Sequence, residues 1–225
     1  FERAGVEHVS LRHPTDYPVN EGRLVSTQGL DIAADEYRRH IQEAHVPPSH
    51  ALFSSVVGRG SFLVGPLARL NLNRDRLSPR AATALALTGH AFPDYNPFAG
   101  IIARAVELVQ FIDDSLSIIE RYEGRPEEVF HQVRAGTGAA MSEAPRGTLY
   151  HAYRVNAQGL VEEADIVSPT AHNAFNLQQD LRAFVPGLLA GPESELALKC
   201  EMMIRNYDPC FSCSAHFLKV DLRRS

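Results

Sequence analysis

The strongest pattern along the chain has helical period. Ile101, Ala105, Leu108, Ile112, Leu116 and Ile119 fall on one stripe, widened by Ile102, Val106 and Val109. Asn96-Pro97 stands ahead of it, a capping residue followed by a proline suited to a first helical turn. The spacing predicts a helix over about Phe98 to Tyr122, and its length predicts a central core helix. Ser78-Pro79 repeats the start signal for a helix to about Thr88. Asp31 reads as the cap of a helix from Ile32 to about His45, ended by Pro47-Pro48. Thr170 could cap a helix near Ala171 to Phe184. Pro192 to Asn206 is helical, with Leu196, Cys200, Met203 and Tyr207 as its apolar stripe. A short helix is expected after Pro126.

Elsewhere the period changes. Leu149, Tyr153 and Val155 alternate onto one face of a strand, Asn156 to Gly159 is a turn, and a second strand follows. Ser61 to Leu72 reads as extended segments interrupted by Gly65-Pro66. The first thirty residues, rich in Pro, Gly, Thr and Asn, read as irregular with short strands. No repeat or low-complexity stretch stands out. The predicted class is α+β, mostly α-helical, with a small antiparallel hairpin.

Composition adds limits. With 225 residues the chain can bury a sizeable core. A net charge of -5, with no basic block, argues against a nucleic-acid surface. No apolar run approaches the roughly 18 residues of a membrane span, and no signal peptide is visible. Three cysteines, an odd number, do not read as a secreted disulfide framework, so a reducing, cytoplasmic setting is expected.

Two of those cysteines carry the candidate chemistry. In "RNYDPCFSCSAHF" Cys210 and Cys213 lie three apart, His216 lies three further on, and Asp208-Pro209 stand in front. Cys200 sits on an apolar helix stripe and reads as a small buried hydrophobe. A thioredoxin-like pair would need a βαβ setting, which is missing. A structural zinc site would need four ligands, and at most three are here. A soft-metal site with its other ligands on another segment remains. Asp208 can cap a new turn with Pro209 at its first position, so Cys210 would meet unpaired N–H groups that favour a thiolate.

"DPCFSCSAH" resembles the C-terminal signature of nickel–iron hydrogenase large subunits, DPCxxCxxH. "EAPRG" (Glu143 to Gly147) is similar to the family's arginine motif, "IVSPTAHN" (Ile166 to Asn173) to its loop against the iron ligands, and "VGPLARLN" (Val64 to Asn71) to a structural motif. The matches keep the family's order. The details of "DPCFSC" and "PTAHN" look closer to cytoplasmic branches that pass electrons to soluble cofactors.

The resemblance implies a fold and a reaction. The fold is a large-subunit helical core, and the reaction is H2 ⇌ 2H+ + 2e− on a Ni–Fe centre whose iron carries CO and cyanide. Cys210 would be a terminal nickel ligand and Cys213 a bridging one. Arg146 would lie over the open metal edge, orienting cyanide and stabilising charge separation. Arginine stays protonated in most sites, so the Cys210 thiolate is the favoured proton acceptor. Asp208 would pair with Arg146 or with the groups around the centre, fixing its orientation. Pro145 and Thr170 would line the diatomic pocket, Thr170 donating to a cyanide. His216 and the carbonyl of Ile166 would hold a magnesium ion. The other histidines, His172 and His151 among them, read as structural.

The resemblance also has gaps. The family's other nickel thiolates belong to an RxCxxC motif that this sequence lacks. Residues 1–225 are therefore expected to be the C-terminal part of a large-subunit domain, needing an N-terminal part. The implied partners are that part, an iron–sulfur small subunit, electron-transfer subunits and a maturation protease. Phe217 to Ser225 stands where family precursors carry an extension removed after nickel insertion, leaving either an unprocessed form or a branch that keeps its tail. The rivals are a hydrogenase-related subunit of a respiratory complex, whose members lack the cysteine pair, and a structural zinc module.

Overall fold

The computed structural model describes residues 1–47, 49, 51–124 and 132–210. The expected helix after Pro126, Cys213, His216 and the tail over 217–225 lie outside them. The described architecture is α+β, with six α-helices and nine strands in three sheets.

The first sheet joins β1 (Glu7–Arg12), β2 (Arg23–Ser26), β3 (Asp31–Ile32) and β6 (Phe62–Leu63) in the order β3-β2-β1-β6. The β1–β6 pair is parallel and the others are antiparallel. The helix expected over Ile32 to His45 is not formed. In its place stand a short 3-10 turn, the single-turn α1 (Tyr37–His40) and β4 (Ile41–His45), which pairs with β5 (Leu52–Val56). Tyr37 and Ile41 are buried and lie four apart, which mimics helical spacing. The ladder to β5 overrides that local signal.

A second correction falls on Ser61 to Leu72. Gly65-Pro66 does not merely interrupt strands. Gly65, at φ 108°, caps α2 (Pro66–Asn73), with Pro66 at its first position. This eight-residue helix is buried at every position but Leu72. It divides the core. Leu67 and Ala68 pack with Ala99, Met203 and Tyr207, while Leu70 packs with Ala81, Ala103 and Val106.

The helix α3 (Pro79–Leu87) follows Ser78, whose Oγ accepts from Ala81 N at 3.2 Å. A 3-10 turn capped by Asn96 then leads into α4 (Gly100–Arg121). The helix forms where the stripe predicts, but the buried face is another one. Ala103, Val106, Glu107 and Gln110 face inward. Ile101, Leu108, Ile112 and Ile119 are 61% to 69% exposed. Two polar residues point into the core because partners wait there: Glu107 meets Arg69, and Gln110 accepts from Ser78 N at 2.6 Å.

The expected hairpin is part of a three-stranded antiparallel sheet of β7 (Gly136–Ala144), β8 (Gly147–Val155) and β9 (Val161–Val167). The core face is not the one carrying Leu149, Tyr153 and Val155. Met141, Tyr150 and Val167 form the buried cross-strand row, continuous with Val9, Leu11, Tyr37 and Phe62. Tyr37 and Tyr150 stack at 3.9 Å. The β8–β9 turn holds as read, with Asn156 Oδ1 accepting from Gln158 N and Leu160 N.

The last two helices are α5 (Pro169–Phe184) and α6 (Glu193–Tyr207). Ser168, not Thr170, caps α5, accepting from Ala171 N at 3.3 Å, and this leaves Thr170 in the first turn. The predicted stripe of α6 is the buried one: Leu196, Cys200, Met203 and Tyr207 are all at most 7% exposed.

Candidate metal centre

Three segments distant in sequence meet where α6 ends. The first is the turn between β7 and β8. Ala144 pairs with Gly147, so Pro145 and Arg146 form a two-residue hairpin loop. This loop lies against the start of α2, backbone to backbone. A Cβ on Gly147 would stand 2.4 Å from Val64 Cγ2, and one on Gly65 would stand 2.8 Å from Arg146 O. Both glycines have positive φ, 134° and 108°. Only glycine permits this approach.

The second segment is the C-terminus of α6. Asp208 closes the helix in the left-handed region at φ 48°, its N–H bonded to Arg205 O at 3.0 Å. Asp208 thus ends α6, and of the turn it would start Pro209 and Cys210 are described while the rest lies outside the described residues. Tyr207 anchors this end from inside. Its hydroxyl donates to Asp180 Oδ2 and accepts from Asn176 Nδ2 at 2.7 Å, and Arg3 Nε closes on Asp180 at 2.7 Å.

Arg146 reaches across to this end. Its Nε donates to Asp208 O at 2.7 Å and lies 3.1 Å from Oδ2. Both side chains are about 40% exposed, so the pair positions more than it stabilises. The third segment is the first turn of α5. Cys210 N donates to Thr170 Oγ1 at 3.2 Å. Cys210 is partly exposed and Thr170 is buried.

The remaining candidates spread outward. Pro145 is exposed beside Arg146. Ile166 sits near the end of β9, opposite His151, with its side chain exposed. Cys213 and His216 lie outside the described residues. Among the described residues no group of three or more His, Cys, Asp or Glu could hold a metal ion. Cys210 is thus the thiolate candidate that the described part offers at this point. A cavity of about 20 Å³ lies beside Arg146, lined by Val64, Leu67, Arg104, Asn173 and Tyr207. It has room for about one water-sized molecule.

Several residues here escaped the motif reading. Asn173 brackets Val64, its Oδ1 accepting from Val64 N at 2.9 Å and its Nδ2 donating to Val64 O at 3.2 Å. Glu143 accepts from Leu11 N, Thr148 Oγ1 and Arg69 Nη1, each at 2.8 Å. Burial pushes its carboxyl up, against the pull of Arg69 and these hydrogen bonds. Burial would lower Arg69, but Glu107 and Glu143 outweigh it and hold the guanidinium well above its ordinary range. Both lie inside quoted motifs, yet nothing in their spacing marks them as partners.

The comparisons with known proteins agree with one another. A family model described as nickel-dependent hydrogenase matches residues 98–216. Sulfhydrogenase 1 subunit alpha of Pyrococcus furiosus is 30% identical over 220 residues, covering 96% of this chain and 51% of that protein. NAD-reducing hydrogenase HoxS subunit beta of Cupriavidus necator is 29% identical, covering 81% and 40%. A crystal structure of an NAD+-reducing [NiFe]-hydrogenase in the H2-reduced state superposes with a TM-score of 0.73 at 27% identity, covering 94% of this chain and 51% of that one. The Ni-Fe-Se hydrogenase of D. vulgaris Hildenborough, at 20% identity and a TM-score of 0.61, shares the fold. The chain spans about half the length of the curated relatives it matches.

Proposed function

Because this chain belongs to the nickel-dependent hydrogenase family, we propose that it is the C-terminal, metal-holding part of a large subunit that catalyses H2 ⇌ 2H+ + 2e−. One observation carries the reading. Arg146 of the hairpin turn, Asp208 at the end of α6 and Thr170 of α5 converge on the backbone that bears Cys210.

The donor chemistry fits a soft-metal centre. A partly exposed thiol stands two residues from Asp208, which holds the Arg146 guanidinium, and Arg146 also borders a cavity with room for a small molecule. Cys210 and Cys213 would be two of the centre's thiolate ligands. Two further thiolates come from an N-terminal part. The half-length coverage of the relatives and the exposed apolar stripe of α4 support that part as partner. When bound, a nickel–iron centre with CO and cyanide on iron supplies the metal edge at which H2 is split.

The chain's own residues orient and move charge. Arg146 presents a fixed positive fork, braced by Asp208, and stabilises the separated charges. Cys210 Sγ takes the proton. Thr170 fixes the backbone of Cys210 and, with Pro145, lines the diatomic pocket. The Ile166 carbonyl and His216 would hold a magnesium ion. Electrons leave through an iron–sulfur small subunit and further electron-transfer subunits. Among the described residues no helix is long and apolar enough to cross a membrane. We place the complex in the cytoplasm, with residues 217–225 as a maturation extension and its protease as a transient partner.

The test is made on the complete complex. Wild type should take up H2, contain nickel and iron, and show CO and cyanide infrared bands. Cys210→Ala and Cys213→Ala should each lose uptake and nickel. Zinc in place of nickel and iron, or full uptake by either variant, would overturn the reading.

A further inference from the structure

The side chain buried most completely for its size is a charged one. Arg69 of α2 has no exposed surface. A guanidinium in that position costs several kcal/mol unless its N–H groups are all satisfied. They are. Nε and one Nη2 hydrogen reach Glu107 Oε1 and Oε2, each at 2.6 Å. The Nη1 hydrogens reach Glu143 Oε2 and Ala144 O, each at 2.8 Å. The last Nη2 hydrogen reaches Pro145 O at 3.2 Å.

Two of these five donors go to successive main-chain carbonyls, and these are the two that precede Arg146. Pro145 O belongs to the peptide group whose nitrogen is that of Arg146. On the following side, Arg146 O faces Gly65, the residue that begins the same helix. The hairpin turn is therefore held from both sides by α2. The carboxylates are held in turn: Tyr17 Oη donates to Glu107 at 2.6 Å, and Leu11 N and Thr148 Oγ1 bond Glu143. Stability alone gives weak reason for such a cluster, since apolar residues of the same volume often do as well. Its geometry gives a better one.

We infer that Arg69 is a positioning residue for Arg146: it clamps the Ala144–Pro145 backbone so that the Arg146 guanidinium is presented to Asp208 and the candidate metal centre. This rests on the role proposed above for Arg146. Arg69 acts through the backbone alone, and its effect on turnover requires an arginine at position 146.

The experiment is a double-mutant cycle in the assembled holoenzyme, with H2 uptake expressed per bound nickel. Arg69→Lys keeps the charge between the two glutamates but cannot reach both carbonyls. It should lower kcat about tenfold or more with little change in KM. Arg146→Lys should lower kcat as well. The double variant should fall within about twofold of Arg146→Lys alone. If Arg69→Lys does not accumulate, Arg69→Met with Glu107→Gln and Glu143→Gln removes all three charges together, and the same cycle is run on that background. Losses that multiply across the cycle, or wild-type turnover in the position 69 variant, would overturn the inference while leaving Arg146 its role. Wild-type turnover in Arg146→Lys would overturn that role and this inference with it.

Discussion

Arg146 Nε donates to the main-chain carbonyl of Asp208 at 2.7 Å, which ties the β7–β8 turn to the end of α6 across 62 residues of sequence. A carbonyl contact of this kind asks for a directed N–H at a fixed point along the side chain. Lysine has no such group. Arg146→Lys should therefore keep the charge and lose the alignment. The expected result is a loss of H2 turnover of about tenfold or more. The thermal midpoint should change little, because a pair this exposed contributes about 0–1 kcal/mol. Uptake assays and thermal unfolding of the same preparation check both halves. Unchanged turnover would contradict the first.

The turn that carries Arg146 leaves no room beside Gly147. At φ 134°, with Val64 Cγ2 at 2.4 Å and Gly65 N at 2.9 Å from a built Cβ, Gly147→Ala must displace backbone. It should cost roughly 1–3 kcal/mol or more and reduce turnover with it. Gly138→Ala, in the same strand pair with nothing within 4 Å, is the control. It should leave stability and turnover close to wild type. Equal midpoints for the two variants would show that the close approach is not there.

What the sequence made legible was mostly local. Ser78-Pro79 and Asn96-Pro97 start helices through contacts within a few residues, so their reading holds. Gly65-Pro66 carries the same kind of signal, but the glycine before it reads as a breaker and hid α2. The α4 stripe was legible as a helix and misleading as a core. Its inward face carries Glu107, whose partner Arg69 lies 38 residues away. No pattern of apolar residues announces a buried ion pair. At the site, Cys210, Arg146 and Thr170 could be singled out through motif resemblance. The contacts that hold them, Asn173 on Val64 and Tyr207 between Asn176 and Asp180, are long-range pairings with no sequence spacing to find.

The described cysteines separate by environment. Cys200 is buried among the apolar side of α6, and burial pushes its thiol up. Cys200→Ala should keep nickel and turnover and cost on the order of 1 kcal/mol from the small cavity left. Cys210→Ala should lose both nickel and turnover while unfolding near the wild-type midpoint. Metal analysis with thermal unfolding distinguishes them. Loss of nickel in Cys200→Ala would place that thiol in the centre and not in the core.

Acid should destabilise the fold through two histidines. Burial pulls both His172 and His8 down to about 4. His172 uses both ring nitrogens in its neutral form. Nδ1 faces Thr148 O at 2.8 Å, which can only accept, so Nδ1 carries the hydrogen and Nε2 takes the Tyr37 hydroxyl at 2.5 Å. Above about pH 6.5 both histidines are neutral folded and unfolded, and neither affects the balance. Between about 6.5 and 4 the unfolded chain binds protons that the native one refuses. Stability therefore falls as pH falls, by up to roughly 1.4 kcal/mol per pH unit for each histidine. Glu143 works the other way. Its raised carboxyl binds a proton in the native state before the unfolded state does, which adds stability on acidification. The readout is therefore the difference between wild type and His172→Gln, whose amide can replace both hydrogen bonds without titrating. The variant should lose less stability than wild type from pH 7 to 4.5, measured by denaturant unfolding at each pH. Parallel curves would mean that His172 is not held neutral by its burial.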